Sequence, residues 1–122
     1  MNKGKQVGEF SLKCTTITVC PGPAGSTIRK CNFEGTLSSV GTVVLTVEFV
    51  GGRSGTFSLV GFVFRDDGET FSTTGQGQAE AIGIHRWRTT GIINRSTGDR
   101  RIAEGEIDLA TRSWTGKQYE AA

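Results

Sequence analysis

Turn-forming clusters recur along this chain at nearly even spacing, and the segments between them alternate apolar and polar residues with a period of two. That rhythm leaves almost no room for helices. Phe10–Val19 reads as a first strand, closed by Pro21-Gly22-Pro23-Ala24-Gly25. Thr27–Leu37 and Thr42–Val50 follow, then the hairpin glycines Gly51-Gly52. Thr56–Phe64 ends near the Asp67-Gly68 turn signal, and Thr70–Glu80 runs to Ala81-Ile82-Gly83. Ile84–Asn94, Arg100–Asp108 and Ser113–Glu120 complete a set of eight.

Connections this short imply antiparallel neighbours, because a parallel pair needs a long crossover. A flat meander of this size would expose two pairing-competent edges, and closing it removes both. The expected fold is therefore all-β, a closed eight-stranded antiparallel up-and-down barrel, with a two-sheet sandwich as the alternative. One domain over residues 1–122 is expected, with 1–7 as a flexible N-terminal tail. Glycines inside predicted strands (Gly35, Gly61, Gly75, Gly77, Gly91, Gly105 and Gly116) fit the bends and close packing of a narrow barrel.

Parity assigns the faces. His85, Trp87, Thr89, Gly91 and Ile93 share one face of the sixth strand, and Ala103, Gly105, Ile107 and Leu109 share one face of the seventh. The burial rule turns both inward. Arg86 and Arg88 then share the outer face with Glu104 and Glu106, as cross-strand ion pairs that help set register. The opposite face of the fourth strand carries Thr56, Ser58, Val60, Phe62 and Phe64, which is too apolar for the outside of a monomer. A homo-oligomer, dimer or trimer, is expected.

Charge is nearly balanced, with 14 basic residues against 12 acidic ones. The Arg-rich stretch from 85 to 101 is followed at once by Glu104, Glu106 and Asp108, so nucleic acid is not an expected partner. No run approaches the ~20 apolar residues of a membrane helix. The three cysteines, Cys14, Cys20 and Cys31, are expected as reduced thiols in a cytoplasmic protein, with Cys14 and Cys31 nearly opposite each other. Their spacing matches no zinc framework, and Gly75-Gln76-Gly77 lacks the third glycine and helix of a dinucleotide fingerprint. No metal or other cofactor is expected.

His85, the single histidine, is the candidate general acid or base if it points into the lumen beside Trp87; the alternative is a solvated residue at the rim. Trp87, Phe57, Phe33 and Tyr119 are candidate walls for a flat or hydrophobic ligand, and each serves equally well as core filling.

Gly51-Gly52-Arg53-Ser54-Gly55-Thr56-Phe57 resembles a recurrent hairpin of the allene oxide cyclase-like barrels, a group that includes dirigent proteins and bacterial cyclases. His85-Arg86-Trp87-Arg88-Thr89-Thr90-Gly91 is similar to a late strand of the bacterial members. The resemblance implies an eight-stranded barrel with an apolar cavity, often in a homo-oligomer, that binds a small hydrophobic molecule. It implies a cyclase or isomerase that works mainly by holding its substrate in a reactive shape. The chain lacks a recognisable catalytic carboxylate or tyrosine pattern. A non-catalytic ligand carrier or a structural oligomeric barrel is the other reading.

Overall fold

The computed structural model describes residues 3–121. Eight strands follow one another: β1 (Lys3–Pro21), β2 (Thr27–Leu37), β3 (Gly41–Gly51), β4 (Ser54–Arg65), β5 (Thr70–Gly83), β6 (Arg86–Arg95), β7 (Arg100–Asp108) and β8 (Ser113–Ala121). Each pairs antiparallel with the next, and β8 returns to β1, so the sheet is a closed barrel. The closing ladder runs from Lys13 opposite Ser113, through Leu12 opposite Trp114, to Lys3 opposite Ala121. Lys3–Val7, expected as a tail, is part of this ladder; residues 1 and 2 lie outside the described residues. Pro23–Gly25 forms a short 3-10 turn in which Ala24 takes a left-handed conformation, with φ of 55°.

All seven mid-strand glycines share the inward parity of the core residues beside them. Their role is close packing. Gly77 and Gly91 are cross-strand partners, and a Cβ on either would stand 2.8 or 2.9 Å from the Phe57 ring tip. Gly105 and Gly116 are partners too, and a Cβ there would stand 2.9 or 2.6 Å from the ring tip of Phe10. Each of these two bare patches is thus covered by an aromatic ring from the neighbouring strand, Phe57 being the register partner of Gly77 and Phe10 that of Gly116. Removing side-chain volume from the wall is what lets so narrow a barrel hold so many rings.

Trp114 is the centre of that filling. Phe33, Phe57, Phe10 and Phe49 surround it at ring separations of 5.1, 5.6, 6.0 and 6.2 Å. Its indole N–H donates to the Thr89 hydroxyl at 3.0 Å, which satisfies two polar groups in the middle of an apolar core. Val47 on β3 is fully buried beside this cluster.

Two local departures matter for function. In β1 the register slips between Cys14 and Thr16, so Cys14 faces Phe33 and Ile17 faces Cys31. The bulge keeps Ile17 on the inward parity. Beyond Lys13, β1 outruns β8, and Ile17 and Val19 stand over an open rim, 40% and 65% exposed. In the β5–β6 hairpin the turn falls at Ile84-His85, just past Gly83, so β6 begins two residues later than expected. His85 takes the left-handed conformation, with φ of 51°, which histidine tolerates better than branched residues.

Candidate functional site

The barrel has two mouths, and a ring of side chains closes each. The first lies at the end formed by the β1–β2, β3–β4, β5–β6 and β7–β8 turns. Trp87 stands there, half-buried against the core, and its indole N–H donates to the Arg53 carbonyl at 3.2 Å. Arg29 crosses the opening. Its guanidinium lies 5.8 Å from the Phe49 ring and 6.0 Å from the Trp87 ring, and it donates to the Gly51 carbonyl at 2.9 Å. Beneath it, Cys14 and Cys31 are buried free thiols. They are nearly opposite each other, on the diagonal across the bulge. Burial, helped by the neighbouring Cys14 thiol, pushes Cys31 up to about 11.

The second mouth lies at the β2–β3, β4–β5 and β6–β7 turns, beside both chain ends. Arg95 closes β6 and Arg101 is the second residue of β7, both on the inward parity. Arg95 lies over the Phe71 ring at 4.8 Å. One carboxylate oxygen of Asp99 accepts from Arg95 at 3.5 Å and forms an ion pair with the Arg101 guanidinium at 3.1 Å. The other oxygen takes the Thr97 hydroxyl. That hydroxyl is the main reason the Asp99 carboxyl titrates below its usual range. Burial, with Arg101 beside it, lowers Arg95.

Between the mouths the lumen is nearly full. What remains is a cavity of about 50 Å³, lined mainly by Phe10, Leu59, Phe71, Ile93 and Trp114, with Arg95, Thr73 and Gln118 at its polar end.

The residues expected to form a site fall in four places. Phe33 and Phe57 point into the lumen, where they pack on Trp114. Trp87 is at the first mouth. Tyr119, expected as a lumen wall, is on the outer surface. It pairs with Ile102 on β7, and the Lys3 ammonium lies 4.4 Å from its ring. The reason is parity: Trp114, Gly116 and Gln118 take the inner positions of β8, which leaves the odd-numbered residues outside. His85, expected beside Trp87, is exposed at the tip of the β5–β6 turn, and its carbonyl accepts from Leu109 N–H at 3.0 Å. Moving the turn past Gly83 takes it out of the lumen.

Arg95, Asp99 and Arg101 were not among the expected site residues. The signal was present. Extending the inward series Thr89, Gly91, Ile93 by one step gives Arg95, and extending Ala103 backward gives Arg101. Of the expected outer ion pairs one forms: Arg86 pairs with Glu106 at 3.2 Å, with both side chains half-exposed, while Glu104 pairs with Lys3 and, among the described residues, Arg88 makes no ion pair.

No family model matches the sequence, and no curated protein or solved structure matches it either. Among the described residues no helix is long and apolar enough to cross a membrane.

Proposed function

We propose that this barrel is non-catalytic and acts by assembling with copies of itself through the outer wall of β3 and β4. The observation that carries this reading is where the apolar surface lies. The lumen is packed, yet Val60, Phe64, Phe62 and Val44 stand on the outside, 64%, 49%, 38% and 37% exposed. Val44 and Phe62 are cross-strand partners, and the Phe62 and Phe64 rings meet edge-on at 5.2 Å. Around them the outer positions of β4 and β5 are Thr56, Ser58, Thr70, Ser72, Thr74 and Gln76, without a charge. An aromatic centre depleted of charge is the composition that marks the buried part of an interface. A standard interface takes ~800 Å² from each partner, about a tenth of the 7033 Å² surface of this chain.

The alternative, a cyclase or isomerase that orients a small hydrophobic molecule in the lumen, has less behind it. Such a site needs ~300 Å³ or more. The lumen leaves about 50 Å³, and His85 stands outside it. The hairpin resemblance to allene oxide cyclase-like barrels supports that reading at the level of short motifs.

Sedimentation velocity at micromolar concentration tests the proposal. The wild type is expected to run at a small multiple of 13.0 kDa, and a Phe62→Ser, Phe64→Ser double variant as a folded monomer. A monomeric wild type would overturn it.

A further inference from the structure

We propose that the second mouth binds a small carboxylate with a short alkyl tail, its head on Arg95 and Arg101 and its tail in the lumen cavity. Three observations meet there. First, charge is unbalanced. Two guanidiniums share one carboxylate oxygen of Asp99, and the Thr97 hydroxyl takes the other oxygen. Arg65, which also repels Arg95, is engaged with Asp67 at 3.0 Å. Glu120 is the register partner of Arg101 across β7 and β8, yet among the described residues only Asp99 forms an ion pair with either inward arginine. Among the described residues one of the two positive charges is thus left without an ion-pair partner of its own, on side chains only 12% and 19% exposed.

Second, a donor is unused. The Arg101 Nε is buried and has no hydrogen-bond partner among the described residues. A buried donor on a cation without an acceptor is costly, and a bound anion removes that cost. Third, the cavity reaches one of the two guanidiniums. Arg95 and Gln118 form part of the wall of the same 50 Å³ space that Phe71 and Ile93 line. A cavity of ~150 Å³ holds a benzene ring, so this one suits a tail of about two to four carbons. A single residual charge and planar guanidinium donors match a carboxylate, a planar monoanion that arginine can grip with two parallel hydrogen bonds.

The inference does not rest on self-assembly; a monomer would carry the same mouth. The test is an NMR titration of the intact protein with butyrate, butyramide and inorganic phosphate, following the backbone amides of 93–103. Butyrate is expected to give saturable shifts, with butyramide and phosphate at least tenfold weaker. Arg101→Gln should weaken butyrate at least tenfold while amides at the first mouth keep their positions. Asp99→Asn should tighten butyrate severalfold, because it frees both guanidiniums; a damaged fold would not improve binding. Equal shifts from butyramide would overturn the charge argument, and phosphate as tight as butyrate would overturn the tail. Absence of saturable shifts with butyrate, or weaker butyrate binding to folded Asp99→Asn, would overturn the site.

Discussion

The two mouths are built from the same parts, an arginine laid over an aromatic ring, and they end in opposite states. At the first, Arg29 spans Phe49 and Trp87 and finds a backbone carbonyl at Gly51, while the Trp87 N–H finds Arg53. Those polar groups have partners within the chain, and the ring of contacts works as a plug. At the second, Arg95 covers Phe71, but it shares Asp99 with Arg101, whose Nε has no partner among the described residues. A plug and a receptor differ here in the ratio of donors to acceptors, not in the kind of residue. The same type of contact stabilises when the backbone completes it and leaves an unmet demand when one carboxylate serves two cations.

Substitutions at the two mouths should therefore differ in sign. Trp87→Ala removes a half-buried indole from the plug, and a loss of about 2–3 kcal/mol in urea unfolding is expected. Arg101→Met removes an incompletely paired buried cation and keeps its apolar stem. It is expected to leave stability unchanged or to raise it by up to ~1 kcal/mol in the absence of carboxylate. A loss at Arg101 as large as that at Trp87 would erase the distinction.

Proton linkage separates the mouths again. The Cys31 thiol ionises at about 11 in the fold, against 9.0 as its ordinary value. Below pH ~9 both folded and unfolded chains hold that proton; between about 9 and 11 only the fold does, so stability falls as pH rises through this window. Thermal melts across it should fall less steeply in Cys31→Ala. Asp99 has the opposite sign. Its carboxyl is held below the usual range, so its contribution is present above about pH 4 and fades as pH falls through the folded value. Asp99→Asn should flatten the acid side of the stability profile and leave the alkaline side unchanged. That acid effect is expected to be the smaller one, because the Asp99 side chain is 39% exposed.

Much of the architecture could be read before any coordinates. Alternation and short turns specify eight antiparallel neighbours, and the Trp87 and Ile107 faces do meet in register inside the barrel. The glycines marked the wall, and the partners Gly77–Gly91 and Gly105–Gly116 explain why they are there. What parity could not supply was the end of each strand. Ile84 looks like the start of a strand because it is branched and apolar, yet it is 87% exposed at a turn. That two-residue error put His85 in the lumen. Stopping β6 at Asn94 hid Arg95, and reading the arginines from 86 to 101 as one basic region hid the split between outward Arg86 and inward Arg101. Tyr119 was misplaced for a different reason. An aromatic near a chain end carries no signal of its own about which face it takes, and Trp114 with Gln118 had already claimed the inner one.

Native mass spectrometry of protein from its own source bears most directly on the central claim, that the barrel is full inside and does its work from the outside. The account predicts a small whole-number multiple of the 13.0 kDa chain, carrying no retained molecule of drug-like size. A 13.0 kDa monomer with a large apolar ligand still bound would contradict it.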